Sequence, residues 1–319
     1  MKYLVFGAGA IGSVFGGLLS RMGENVALIG RPPHINAIRK KGLFITGIWG
    51  DQQAFFSHSY TAVEELPIRQ FDVIFITVKT YDTERAVNLS APYLAPDGLM
   101  ISLQNGLGNV EKISAVVGPQ RTVGGRVIFG AEMERPGIVK VTVYADPVLL
   151  GSPRAQAPAD KIQAVADIIS KSGIPSSFTP EIEKYLWAKL LYNIALNPLS
   201  TILRVNYGTL LAREETQEIM RQVIREAFRV ASAVKQELLW QRPEDYIDVL
   251  FHRLIQLTAA HFPSMLQDLR EGRQTEIDAL NGAIVDFARK NGLEAPVNQV
   301  LTCLIKTLET PVVTTPAAI

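Results

Sequence analysis

The 319-residue chain carries 32 Lys and Arg against 31 Asp and Glu, a formal net charge of +1, and 20% of its residues are charged. That balance argues against a nucleic-acid-binding surface or a polybasic membrane surface, and no apolar run is long enough to span a bilayer. The length suits two domains with a substantial core, and residues 1–6 run straight into a strand pattern with no signal-peptide layout. The expectation is a cytoplasmic protein with no membrane or nucleic-acid partner.

Lys2-Tyr3-Leu4-Val5-Phe6 reads as a buried strand, and Gly7-Ala8-Gly9-Ala10-Ile11-Gly12 follows it directly, ahead of the helical spacing of Val14, Leu18 and Leu19. This is GxGxxG between a strand and a helix. The first glycine permits the tight turn, the second lets a pyrophosphate approach the backbone, and the third lets helix and strand pack closely. Free N–H groups at the helix start hold the anion. The next strand, 26–29, leads to Gly30-Arg31-Pro32. A site for NAD usually carries Asp or Glu there, whereas the Arg31 guanidinium offers charge-assisted donors to a 2′-phosphate. NADP(H) is the expected cofactor.

Strands and helices alternate up to about residue 180, with further strands expected over 71–78, 100–103, 122–127, 138–143 and 148–150. Several are continuous apolar runs of the kind buried on both faces of a parallel sheet, and the segments around Arg135-Pro136-Gly137 read as an antiparallel addition. Loops at the carboxyl ends of such strands meet ligands. One delivers Lys79, a cation for the cofactor or a substrate carboxylate. Another delivers Gln104-Asn105-Gly106, where Asn105 would sit beside a nicotinamide, although Asn-Gly is also an ordinary turn dipeptide.

After Gly173-Ile174-Pro175 and Pro180 the patterns become helical, over 183–203, 214–239, 244–260, 264–269, 276–290 and 297–308. The fold expected is therefore α/β: a doubly wound, Rossmann-type nucleotide domain (1–179), then an all-α domain (180–319) for substrate and dimerisation. The amphipathic pattern of 214–239 is one candidate for a homodimer face. Cys303, the only cysteine, is expected to pack as a small hydrophobe, and the tail beyond residue 310 to be loosely held. His34, His58, His252 and His261 show no metal-ligand spacing, so no metal is expected.

In the first helix of that second domain, Lys189, Asn193 and Asn197 are spaced four apart among Leu, Ile and Trp. Such spacing keeps all three on one slowly drifting face, and buried ammonium and amide groups need polar partners. Either a substrate or a neighbouring helix would satisfy them. Ser264 with Gln267 reads equally as a capping box, and Glu276 as a first-turn acid favoured by the helix dipole.

Taken in order, these elements resemble the ketopantoate reductase (2-dehydropantoate 2-reductase) family from residue 1 to about 308. The resemblance rests on the glycine loop, Arg31, Val78-Lys79-Thr80, Gln104-Asn105-Gly106 and Trp187-Ala188-Lys189-Leu190-Leu191-Tyr192-Asn193 through Asn197-Pro198-Leu199. It rests as well on Ser264-Met265-Leu266-Gln267-Asp268 through Thr275-Glu276-Ile277-Asp278 with Asn281-Gly282. It implies NADPH-dependent reduction of ketopantoate, a small 2-oxo acid, to (R)-pantoate on the way to pantothenate and coenzyme A.

Lys189 falls on the family's proton donor and Glu276 on the carboxylate that holds the substrate hydroxyl. Asn105, Asn193, Asn197 and Ser264 fall on substrate contacts. Arg31, Lys79, Asn105, Ala131 and Glu276 fall on cofactor contacts beside the glycine loop. A further family asparagine aligns with Tyr207 in Asn206-Tyr207-Gly208, and Asn206 could replace it only with a one-residue shift, so either residue can take that position. A 2-oxo acid reductase with another substrate, and a cofactor-binding redox sensor without turnover, are the alternatives. A sensor needs the glycine loop but neither Lys189 nor Glu276.

Overall fold

The computed structural model describes residues 1–67 and 70–310. The expectation about the tail beyond 310 lies outside the described residues. Two compact units emerge, one of Met1–Gln104 with Gly108–Leu186, the other of Asn105–Leu107 with the chain from Trp187 on.

The first unit contains β1 (Lys2–Phe6), α1 (Ala10–Arg21), β2 (Asn25–Ile29), α2 (Pro32–Lys41), β3 (Leu43–Gly47), β4 (Gln52–Ala54), β5 (His58–Tyr60) and β6 (Phe71–Ile76). It continues with α3 (Thr83–Ser90), β7 (Leu94–Ser102), α4 (Asn109–Val117), β8 (Thr122–Arg135), β9 (Ile138–Gly151), α5 (Ala159–Lys171) and β10 (Ser176–Phe178). Among the described residues the sheet order is β4-β3-β9-β8-β7-β6-β1-β2-β5, with β10 on β9. The strands β7, β6, β1 and β2 run parallel. Their apolar runs divide by alternation: Tyr3, Val5, Val73 and Phe75 enter one core, while Leu4, Ile74, Ile76 and Met100 enter another on the opposite face. Because β1 is flanked by β2 and β6, chain connections leave it in opposite directions, which opens a crevice at its carboxyl end.

Several expected boundaries shift. The segment 122–127 continues to Arg135, and 138–143 and 148–150 are one strand, β9. The β8–β9 pairing is antiparallel as expected, and its register slips around Ile128, Gly130 and Arg135 absorb what reads locally as strand ends.

The helix α6 (Ile182–Leu203) leaves the first unit after Leu186. There follow α7 (Tyr207–Leu211), α8 (Glu214–Ala233), α9 (Pro243–Val249), a π-helical turn Leu250–Leu254, α10 (Ile255–Leu257), α11 (Ser264–Arg270), α12 (Asn281–Lys290) and α13 (Pro296–Glu309). The described part of the second unit is helical, as expected. Three details differ. The helix expected over 214–239 stops at Ala233, and its apolar residues Met220, Val223, Ile224, Ala227 and Val230 are buried in the unit's own core, so they offer no dimer face. Glu276 precedes a 3-10 turn, Ile277–Ala279, instead of opening a long helix. Cys303 is exposed, because α13 turns Asn298, Leu301 and Ile305 inward and 303 lies on the other side. No described helix is long and apolar enough to cross a membrane.

Candidate active site

The glycine loop in the first unit has the shape its sequence requires. Gly7 adopts φ +119°, and a Cβ there would come 2.7 Å from the Val78 amide nitrogen. A Cβ on Gly12 would meet the Gly7 carbonyl oxygen and lie 2.6 Å from Thr77 Oγ1, whereas one on Gly9 would meet nothing within 4 Å. Two glycines thus permit close packing, and the third leaves its surroundings open where a ligand would approach. Thr77 Oγ1 donates to the Gly7 carbonyl at 2.7 Å, and Ala8 N–H donates to Ile29 at the same distance, tying the loop to β6 and β2. The first-turn N–H groups of α1, from Ala10, Ile11 and Gly12, have no partner inside the helix and carry its positive end. These residues fit a pyrophosphate.

Gly30 is required because its Cβ would strike the Cβ of Ala8, and this close approach brings Arg31 beside the glycine loop. Arg31 is exposed and its carbonyl starts α2, accepting from the N–H groups of His34 and Ile35. Behind it, buried His34 accepts the Gly137 N–H on Nδ1 at 2.9 Å, so the neutral ring carries its proton on Nε2, 2.9 Å from Ser13 Oγ. Burial lowers the His34 pKa to about 4. A neutral imidazole thereby braces α1, α2 and the β8–β9 hairpin, a role with no local sequence signal.

Lys79 follows β6 and precedes the 3-10 turn Thr80–Asp82. Buried Gln104 holds that loop by donating from Nε2 to the Val78 carbonyl at 2.8 Å and to Thr83 Oγ1 at 2.7 Å. Ala131 lies in β8 opposite Val141 and packs on the apolar core. The neighbouring Phe129 is core as well, its ring 5.9 Å from Phe15 and 4.9 Å from Trp49.

The second unit gathers the remaining residues around two features. Along α6, Lys189 is half-buried, while Asn193 and Asn197 are buried, each 9% exposed. Asn197 Oδ1 accepts from the Tyr207 hydroxyl at 2.8 Å, and that phenol is held well above its ordinary pKa by burial, then by the charge of Tyr192. Tyr192 packs edge-on against Tyr207, is pushed up to about 12 by burial, and shares a 2.7 Å hydrogen bond with Thr258. Tyr207, not Asn206, therefore reaches the polar column. Asn206 is engaged otherwise. Its Oδ1 caps α7, accepting from Thr209 N–H at 2.9 Å and Thr209 Oγ1 at 2.8 Å.

The second feature joins residues 171 positions apart: Asn105 Nδ2 donates to Glu276 Oε2 at 3.3 Å. Asn105–Leu107 is docked by Leu107 N–H on the Ala279 carbonyl at 2.9 Å. Gly106, at φ +75°, is more than a turn residue, since a Cβ would lie 2.8 Å from Ala279 Cβ and closer still to its oxygen. Glu276 itself is buried, and its loop is fixed from both sides. Thr275 N–H and Oγ1 donate to Glu309 at 2.8 and 2.6 Å, and Arg273 pairs with buried Asp268 at 2.8 Å. Ser264 is exposed at the first position of α11, one residue past its cap Pro263, so the capping-box reading fails.

This arrangement supplies a cation and buried amide donors on one helix, with a carboxylate set beside an asparagine in a braced loop. It can bind a small polar anion, donate a proton and accept from a hydroxyl.

The chain matches the family models described as "Ketopantoate reductase PanE/ApbA" over residues 3–154 and "Ketopantoate reductase PanE/ApbA C terminal" over residues 181–309. It is 38% identical over 309 residues to the 2-dehydropantoate 2-reductase of Aquifex aeolicus, covering 97% of each chain. Among solved structures it resembles a PanE/ApbA family ketopantoate reductase from Ralstonia eutropha JMP134 (31% identity, TM-score 0.87, 97% of this chain and 98% of that one). It also resembles a D-mandelate dehydrogenase solved in a ternary structure with NADH and anilino(oxo)acetate (28% identity, TM-score 0.87, with the same coverage). With both units matched and the glycine loop and polar column in place, the chain belongs to the ketopantoate reductase family.

Proposed function

We propose that the protein is an NADPH-dependent 2-dehydropantoate 2-reductase, reducing ketopantoate to (R)-pantoate in pantothenate and coenzyme A biosynthesis. The observation that carries the reading is the α6 column of Lys189, Asn193 and buried Asn197 in the same unit as the Asn105–Glu276 pair. A redox sensor needs none of these groups.

Gly7, Ala8, Gly9, Ala10, Ile11 and Gly12 hold the pyrophosphate, Arg31 the 2′-phosphate, and Lys79, Ala131, Asn105 and Glu276 the rest of the dinucleotide. NADPH, when bound there, would supply the hydride needed at the ketone carbon. Lys189 polarises the ketone through an N–H···O bond and gives its proton to the forming alkoxide oxygen; water then reprotonates the amine. Asn193, Asn197 and Ser264 orient the substrate without adding charge, and Glu276 accepts from its remote hydroxyl. Asn206, whose Oδ1 caps a helix, contributes through its Nδ2 donors.

A cytoplasmic homodimer completes the reading. Its support is the near-neutral composition and an exposed apolar stripe on α13, formed by Val300, Leu304 and Leu308. Light scattering tests the dimer. A second reading, reduction of a different 2-oxo acid, is favoured by the aromatic Tyr207 at the position of a family asparagine. Oxidation of NADPH with ketopantoate and with aryl- and alkyl-substituted 2-oxo acids separates the two. Ketopantoate should give the highest kcat/KM.

A further inference from the structure

Residue 198, inside α6, is proline, so the carbonyl of Ile194 four residues earlier lacks the amide N–H that a helix would supply. A buried carbonyl in that position needs another donor. Asn281 provides it, donating from Nδ2 to the Ile194 oxygen at 3.1 Å. The same amide donates to Asn298 Oδ1 at 3.0 Å. Asn298 is held in turn, its Nδ2 donating to the Val223 carbonyl at 3.3 Å and to Glu226 Oε2 at 2.7 Å. Glu226 also accepts the N–H groups of Val297 and Asn298 at the start of α13.

Both asparagines are fully buried, and backbone carbonyls only accept, so each amide must turn its NH2 toward them. Among the described residues, Asn281 Oδ1 is buried without a hydrogen-bond partner. What this side chain contributes is therefore its donor side, directed at the peptide between Asn193 and Asn197. We propose that Asn281 is a positioning residue for the reaction: it replaces the N–H that Pro198 removes and fixes the stretch of α6 that aims Asn193 and Asn197 at the 2-oxo acid. The inference rests on the reductase reading above.

A rescue experiment tests it. Asn281→Leu keeps the branched shape, excludes water and removes the donor, so KM for ketopantoate should rise about tenfold or more while KM for NADPH stays within about twofold. Adding Pro198→Ala returns an N–H to the Ile194 carbonyl within the helix. KM for ketopantoate should then fall back to within about threefold of the parent, although Asn298 still lacks its partner and thermal stability recovers only in part.

A merely structural asparagine would lower the melting temperature without raising the substrate KM of the folded enzyme. Parental KM in Asn281→Leu, or a double variant as impaired as the single one, overturns the proposal. Should Asn281→Leu fail to fold, the double variant decides: folded with near-parental KM supports it, unfolded or impaired refutes it. A parent that reduces no 2-oxo acid instead sinks the reductase reading, and the positioning role with it.

Discussion

Gly106→Ala perturbs the candidate site without touching any group proposed to bind or react. Two costs add. The backbone at φ +75° disfavours any side chain by about 1 kcal/mol. The new Cβ would sit 2.8 Å from Ala279 Cβ, well inside ordinary contact, with the Ala279 carbonyl closer still. Overpacking against a backbone group adds about 1–3 kcal/mol, for a total of about 2–4 kcal/mol. Gly272→Ala is the control, because Gly272 has φ +66° and open space around it, so only the first cost applies. Denaturant unfolding of both variants isolates the packing cost, and steady-state kinetics reports its effect on the site. Since Leu107 is bonded to Ala279, the loop must shift together with Asn105, and KM for the 2-oxo acid should rise in Gly106→Ala alone. Equal stabilities for the two variants, with KM unchanged in both, would refute the reasoning.

Protonation of His34 makes stability depend on pH: its folded pKa, about 4, lies below the ordinary 6.5, so the folded state resists the charge. The contribution is complete above about pH 6.5 and declines toward pH 4, a loss of about 3 kcal/mol there. His34→Gln should flatten that dependence in unfolding measured across pH 4–7, and an unchanged profile would contradict it. Tyr207→Phe keeps the ring packing but leaves Asn197 Oδ1 unpaired, so stability should fall by about 1–3 kcal/mol and KM for the oxo acid rise. An unfolding midpoint equal to the parent's would show that the bond contributes nothing. Arg31→Ala should lose about 1.5–3 kcal/mol of NADPH affinity, read as a raised KM for NADPH against a nearly constant KM for NADH. Equal losses with both cofactors would remove the 2′-phosphate assignment.

The parallel strands β1, β6 and β7 were legible because burial on both faces demands continuous apolar runs, which few other settings tolerate. By contrast β4, β5 and β10 have three residues each, with Gln52, Gln53, His58 and Ser59 among them. Strands of that length and polarity form through pairing with a partner strand, which local sequence does not display. The spacing of Lys189, Asn193 and Asn197 exposed the α6 column, since helical period alone places them together. The Asn105–Glu276 pair joins distant positions through tertiary packing, and Asn-Gly reads locally as a turn. Asn281 was visible only as part of a motif, because its partner is a carbonyl whose need for a donor arises from Pro198 on another helix.

The most direct test of the account is the turnover number for ketopantoate with NADPH in the parent and in Lys189→Ala. Withdrawing the group that protonates the forming alkoxide should lower kcat by about 10²–10⁴ while NADPH affinity and the unfolding midpoint stay close to the parent's. A folded Lys189→Ala protein with parental kcat would contradict the account, because the polar column of α6 would then be structural and the proton would come from elsewhere.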